Sequence, residues 1–135
     1  MSEPDAEMLA LVEKIARFIA TGDDAMLAAF SKNGVVILEN FAPHLFSGPD
    51  AVADWARGMR EHAATLENLR HSFGPAQDFA SDDARAFFSL PTHWQGRSNG
   101  RAFREDGGWS FLLVKEEGQW RVQSYGWAVT GVAYE

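Results

Sequence analysis

A length of 135 residues, with 46% hydrophobic and 13% aromatic content, suffices for a single domain with a buried core, and no Gly/Ser-rich or Pro-rich stretch marks a linker. The 19 Asp and Glu against 12 Lys and Arg give a formal charge of −7, the wrong sign for a phosphate-backbone footprint, so nucleic acid is not an expected partner. The lack of cysteine excludes disulfides, thiolate metal sites and cysteine nucleophiles, and with no long apolar run and no basic-then-apolar start the expectation is a cytoplasmic chain without a membrane partner.

Met8, Leu11, Val12, Ile15, Phe18 and Ile19 recur at helical spacing behind the acidic start Ser2-Glu3-Pro4-Asp5, which predicts a first helix that Gly22 ends. Asp23 then caps a short second helix with Met26, Leu27 and Phe30 on one stripe. Val35 to Leu38 is a β-branched run that reads as a strand, and Gly48-Pro49 opens a third helix with Val52, Trp55, Met59 and Leu66 on one side. From Asn68 the apolar period changes to two. Turn signals at Ser81-Asp82-Asp83, Ser98-Asn99-Gly100, Asp106-Gly107-Gly108 and Glu116-Glu117-Gly118 place strands near 68–79, 85–95, 109–115 and 119–129. Residues 96–108, with Arg97, Arg101 and Arg104, read as an inserted polar loop, solvated by default and a lid over a pocket mouth on the sharper reading. Helices first and hairpin-linked strands second predict an α+β cone, three N-terminal helices packed on a strongly curved antiparallel or mixed sheet with a pocket at its mouth.

Several stretches carry a resemblance. Thr21-Gly22-Asp23 between the first helices, Phe46-Ser47-Gly48-Pro49-Asp50-Ala51-Val52 at the third, and Gly107-Gly108-Trp109 through Glu116-Glu117-Gly118-Gln119-Trp120-Arg121-Val122 at the end resemble, in that order, the nuclear transport factor 2-like superfamily. Leu69-Arg70-His71 looks most like its SnoaL-like branch of dehydratases and polyketide cyclases. The resemblance implies the cone fold over roughly residues 8 to 130, but isomerases, dehydratases, cyclases and non-catalytic binders share that fold, so function has to be argued from the site.

Glu39 follows the apolar strand and lies nine residues before Gly48, as the general-base aspartate of ketosteroid isomerases stands before a similar Ser-Gly, so the resemblance puts a carboxylate at the base position. The bland reading is a solvated strand end; the sharper one is a desolvated base that removes a proton beside a carbonyl. The rest of the isomerase apparatus is missing, with Ile15 where that family has its tyrosine donor and Ser110 where it has its protonated aspartate. Ile15 and Ala20 likewise stand where the dehydratase-like branch commonly carries a tyrosine and an aspartate. His71 and His93 are equidistant from Asp82, which makes them cross-strand neighbours if the hairpin is symmetric, and the resemblance gives such a pair an acid-base role. Structural or exposed histidines are the plain alternative. A metal held by the two histidines and Glu39 is disfavoured, because no His-x-His or His-x-x-x-His spacing fixes two ligands rigidly.

Phe18, Trp55, Trp94, Tyr125 and Trp127 are the aromatic candidates for a pocket wall, with core as the default reading of each, and Tyr125 and Trp127 share a strand face opposite to Trp120 and Val122. That mixed parity predicts an apolar outer face and a homodimer formed through it. The expected function is binding of a small, largely apolar molecule, with cofactor-free acid-base chemistry by Glu39, His71 and His93 if the three converge. A non-catalytic binding or assembly domain is the alternative.

Overall fold

The computed structural model describes residues 3–135, so Ser2 of the acidic start lies outside them. Asp5 begins helix α1, Ala6–Thr21, its side chain accepting from the backbone N–H of Met8 at 3.0 Å, and Gly22 closes it in the left-handed conformation. Met8, Leu11, Val12, Ile15 and Phe18 form its buried stripe. The predicted second helix is a single 3₁₀ segment, Asp24–Ala29, capped by Asp23. Helix α2 spans Ala51–His62 and buries Trp55, Ala56 and Met59; Leu66, expected on its flank, instead starts a strand.

The strands are β1 (Val36–Leu38), β2 (Leu45–Phe46), β3 (Leu66–Phe73), β4 (Gln77–Ser81), β5 (Arg85–Ser98), β6 (Arg101–Glu116) and β7 (Gln119–Tyr134). They form one curved, unclosed mixed sheet in the order β2-β1-β7-β6-β5-β3, with β4 also on β5; β1 runs parallel to β7 and every other pairing is antiparallel. The helices lie on its concave side.

Three expectations are corrected here. Residues 96–108 are not an inserted loop: β5 and β6 continue through them to a two-residue turn at Asn99-Gly100, where φ is +51° and +81°, and Arg97, Arg101 and Arg104 lie on the strand ends. The long strand expected at 68–79 is broken by Gly74-Pro75-Ala76 into β3 and β4.

The third correction concerns strand parity. Leu113 faces Val122 but Leu112 faces Ser124, so Gln123 is an extra residue on β7, a bulge that flips the alternation within the strand. Trp120 and Val122 before it, and Tyr125 after it, therefore all point into the core, at 6%, 0% and 2% exposure. The mixed parity that predicted an apolar outer face on β7 does not exist there.

Candidate active site

Strand alternation along β1 turns Val36 and Leu38 outward and Ile37 inward, and continuing it by one residue turns Glu39 inward. The backbone N–H of Glu39 donates to the carbonyl of His44 at 2.9 Å, and His44 Nδ1 lies 2.9 Å from the Glu39 carbonyl, so the turn that follows fixes the residue. The residue is only 7% exposed. Two side chains reach it from different elements: Trp55 of α2 donates from Nε1 at 2.9 Å, and the Tyr125 hydroxyl of β7 donates to the same oxygen, Oε2. Oε1 has no side-chain donor among the described residues.

Burial pushes the Glu39 carboxyl above the ordinary carboxylate range, and the hydrogen bonds from Tyr125, Trp55 and the backbone N–H of Asn40 pull it part of the way back. Burial likewise raises the Tyr125 phenol well above its usual value, so it remains a donor.

Glu39 lines a cavity of about 240 Å³ at the open end of the cone. Ile19 of α1, Met59 and His62 of α2, Ala63 and Thr65 after it, Leu66 and Leu69 of β3, Trp94 and Ser98 of β5, Phe103, Glu105 and Trp109 of β6, and Trp127 and Tyr134 of β7 complete the wall. It is a strongly aromatic space of mixed polarity, to which Glu39, His62, Thr65, Ser98 and Glu105 bring polar side chains. Burial raises the Glu105 carboxyl, and Glu105 in turn raises Glu39 by like-charge repulsion. Burial lowers the His62 imidazole, which stacks on Phe41 at 4.7 Å, so near neutral pH it is the uncharged form that faces the site.

The three expected catalytic residues do not come together. His71 faces Trp94 across the β3–β5 ladder and His93 faces Ser72, one step out of register with a symmetric hairpin. The irregularity between Gln77 and Ala80 and the break at Gly74-Pro75 supply extra residues on one side, and a single-residue slip sends the two rings to opposite faces of the sheet. His71 is 2.8 Å from Glu13 on α1 and packs on Phe73 and Trp94; His93 is 2.9 Å from Asp106 on the neighbouring strand. Their carboxylate partners are thus Glu13 and Asp106 rather than Glu39, and neither ring lines the cavity.

Of the five aromatic candidates, Trp94 and Trp127 line the cavity. Trp55, Tyr125 and Phe18 are core, the first two doubling as donors to Glu39 and Phe18 packing on Trp55 with ring centres 5.3 Å apart. Glu105, Phe103 and His62 went unnoticed in the sequence. The first two alternate with Arg104 and Asp106 as strand residues do, a signal hidden by the turn-like Asp106-Gly107-Gly108 that follows. No group of three or more His, Asp or Glu among the described residues is arranged to hold a metal ion.

The SnoaL-like domain model matches residues 2–126, almost the whole chain. The chain belongs to the SnoaL-like domain family. Solved structures agree on the fold of this SnoaL-like domain. The hexachlorocyclohexane dehydrochlorinase LinA-type3 from Novosphingobium barchaimii LL02 superposes with a TM-score of 0.79 at 8% identity, covering 96% of this chain and 88% of that one. The Kfla4162 protein of Kribbella flavida gives 0.77 at 12% identity, covering 95% and 91%, and a nuclear transport factor 2-like protein of unknown function from Pseudomonas putida KT2440 gives 0.70 at 14%, covering 91% and 84%. At such identities the likeness is one of fold. Comparison with curated proteins gives no match.

Proposed function

We propose that this SnoaL-like domain binds a small, largely apolar molecule in the cone cavity and moves a proton on it without a cofactor, with Glu39 as the base. The observation that carries the reading is a buried carboxylate in the wall of an aromatic cavity with both of its side-chain donors on one oxygen. Trp55 and Tyr125 hold the group in place through Oε2, and Oε1, which no side chain of the described residues engages, is the oxygen assigned to take a proton from an incoming C–H. A carboxylate whose proton affinity has been raised by burial is a stronger base than one in water, provided it is ionised when substrate arrives. Glu105, raised in the same way, is the second acid-base group of the cavity and takes the place that the sequence gave to the histidines.

The walls also bear on reaction type. Ile15 is buried apolar core, and Ser110 hydrogen-bonds Ser89 at 3.3 Å on the opposite side of the sheet, so neither position offers an oxyanion donor to the cavity. Chemistry that accumulates an enolate needs such donors. An elimination, in which the charge left by proton removal departs with a leaving group, needs them less, and a lyase-type reaction is the favoured class. The dehydrochlorinase is a structural neighbour of that kind, at the level of fold.

A non-catalytic binder is the second reading, favoured by the placement of His71 and His93 outside the cavity. Native mass spectrometry of freshly purified protein, to recover a retained molecule, followed by incubation of that molecule in heavy water with wild type and Glu39→Gln, separates the two. Glu39-dependent deuterium uptake or product formation supports catalysis, whereas retention without either by both proteins makes the domain a binder.

The reading includes a second copy of the chain as partner, through the convex face of the sheet. Phe87, Leu112, Ser124 and Val36 lie side by side across β5, β6, β7 and β1, and the next row runs Ser89, Ser110, Gly126, Leu38 and Leu45. Val36, Leu38, Leu45 and Phe87 are 37–54% exposed, an apolar rim around a flat centre of small residues.

A further inference from the structure

We propose that the molecule taken into the cavity is an organic cation, a protonated or quaternary amine on an apolar body, with its charged head between Glu39 and Glu105 and against the indoles of Trp94, Trp109 and Trp127. This rests on the reading of the cavity as the ligand site and adds the ligand's charge to it.

The cavity wall contains two carboxylates and no Lys or Arg. The side-chain ion pairs found among the described residues, Arg57 with Asp54, Arg60 with Asp24, His71 with Glu13 and His93 with Asp106, all leave Glu39 and Glu105 out. Glu39 has two neutral donors on one oxygen, and Glu105 has no side-chain hydrogen bond at all among the described residues. Arg101, which lies 5.2 Å from the centre of the Tyr134 ring, is occupied there and donates to the carbonyl of Glu135 at 3.2 Å. Two like charges are thus drawn into one small aromatic space with nothing on the protein to balance them, an arrangement that costs free energy unless the balancing charge comes from outside. Burial holds both carboxyls above their ordinary range, and Glu105 adds a smaller like-charge push on Glu39.

The indoles supply the second line of evidence. Trp94 meets Trp109 at 49° and Trp109 meets Trp127 at 76°, with ring centres 6.3 and 5.9 Å apart; Trp109 is packed against Phe73, Phe111 and Tyr125 as well, so the partly buried Trp127 is the indole with the most open surface toward a ligand. Indole is the best of the natural rings at attracting a cation, and carboxylates set among aromatic rings form the recurrent recognition site for ammonium groups. A neutral apolar ligand would use the rings and leave the carboxylates unpaired. An anion would be repelled by both carboxylates and by a chain of net charge −7.

The test uses a matched pair, benzyltrimethylammonium and its neutral carbon isostere neopentylbenzene, titrated into the full chain at pH 7.5 and followed by backbone and indole N–H chemical shifts. The expected result is that the cation binds at least tenfold more tightly than the isostere, moves the cavity indoles, and loses at least threefold of that preference in Glu105→Gln. Equal or tighter binding of the isostere overturns the charge assignment and leaves the cavity as an apolar ligand site. Failure of both compounds to move the cavity indoles overturns the charge assignment and the ligand-site reading together. Because the matched pair is compared on the wild-type chain, the result stands even if the variant folds poorly.

Discussion

The carboxyl of Glu39 is held between opposing influences, and each can be altered separately. Its folded-state proton affinity is above the ordinary one, so the folded protein binds that proton more tightly than the unfolded chain does. The stabilising contribution is therefore complete below the ordinary glutamate pKa and is lost as pH rises through the raised value. Glu39→Gln, which keeps an acceptor for Trp55 and Tyr125 but has no charge to bury, is expected to abolish proton transfer and to melt higher than wild type at pH 8, the gap closing as pH falls toward 4.5. A variant that melts lower than wild type across the whole range would mean that the two hydrogen bonds outweigh the burial. Tyr125→Phe acts in the other direction. It removes a donor to a charged group, worth about 1.5–3 kcal/mol, and with one restraining influence gone it moves the acidic limb of the pH–rate profile to higher pH. An unshifted limb accompanied by loss of stability would reduce Tyr125 to a core residue.

Among strands and turns, the sequence was readable wherever alternation was regular and misleading wherever one residue was added. The change of period at Asn68 and the turn triplets at 81–83, 98–100 and 116–118 mark the order of elements because each turn needs its own residue types, whereas Asp106-Gly107-Gly108 has turn residues inside a continuous strand. Bulges leave no comparable local mark. Gln123 looks like any polar strand residue, yet it decides that Trp120 and Tyr125 share a face, and the breaks near Gly74 and Gln77 decide that His71 and His93 do not. Glu39 was found because it ends a short strand of unbroken alternation, and Glu105 was lost because a diglycine follows it. That diglycine has a steric purpose. A Cβ on Gly107 would lie 2.6 Å from the carbonyl oxygen of Ala128 and inside the ring of Trp127, so only glycine lets that indole lie over β6 and form part of the cavity wall. Gly107→Ala is expected to cost about 1–3 kcal/mol by overpacking and to change ligand affinity by displacing Trp127, whereas Gly108→Ala, with nothing within 4 Å of the added methyl, should do neither. Equal melting temperatures for the two variants would contradict this account of the close approach.

For the molecule as a whole, the convex face and the cavity mouth lie on different parts of the sheet, so assembly and ligand binding are separable. Sedimentation at micromolar concentration is expected to give a dimer of the 15.0 kDa chain, and Leu38→Lys combined with Leu112→Asp, one from each apolar row, to give a monomer that still binds ligand. A wild-type monomer at those concentrations would remove the second copy from the proposal without touching the cavity. The cone itself could be read in the sequence because helices grouped before strands have few ways to bury both apolar faces. The homodimer expected from the parity of β7 loses that argument at the Gln123 bulge, and its proposed surface rests instead on rows of residues that only the register brings side by side.

Trp94, Trp109 and Trp127 of the cavity wall, with Trp55 on the Glu39 carboxylate, are four of the chain's five tryptophans, and only Trp120 belongs elsewhere in the core. The protein's ultraviolet emission is consequently concentrated in the one region whose occupancy is in question. Because Trp55 donates to the Glu39 carboxyl and three more indoles line the cavity, the intensity and wavelength of that light report, without any added label, when the cavity fills and when Glu39 gives up its proton.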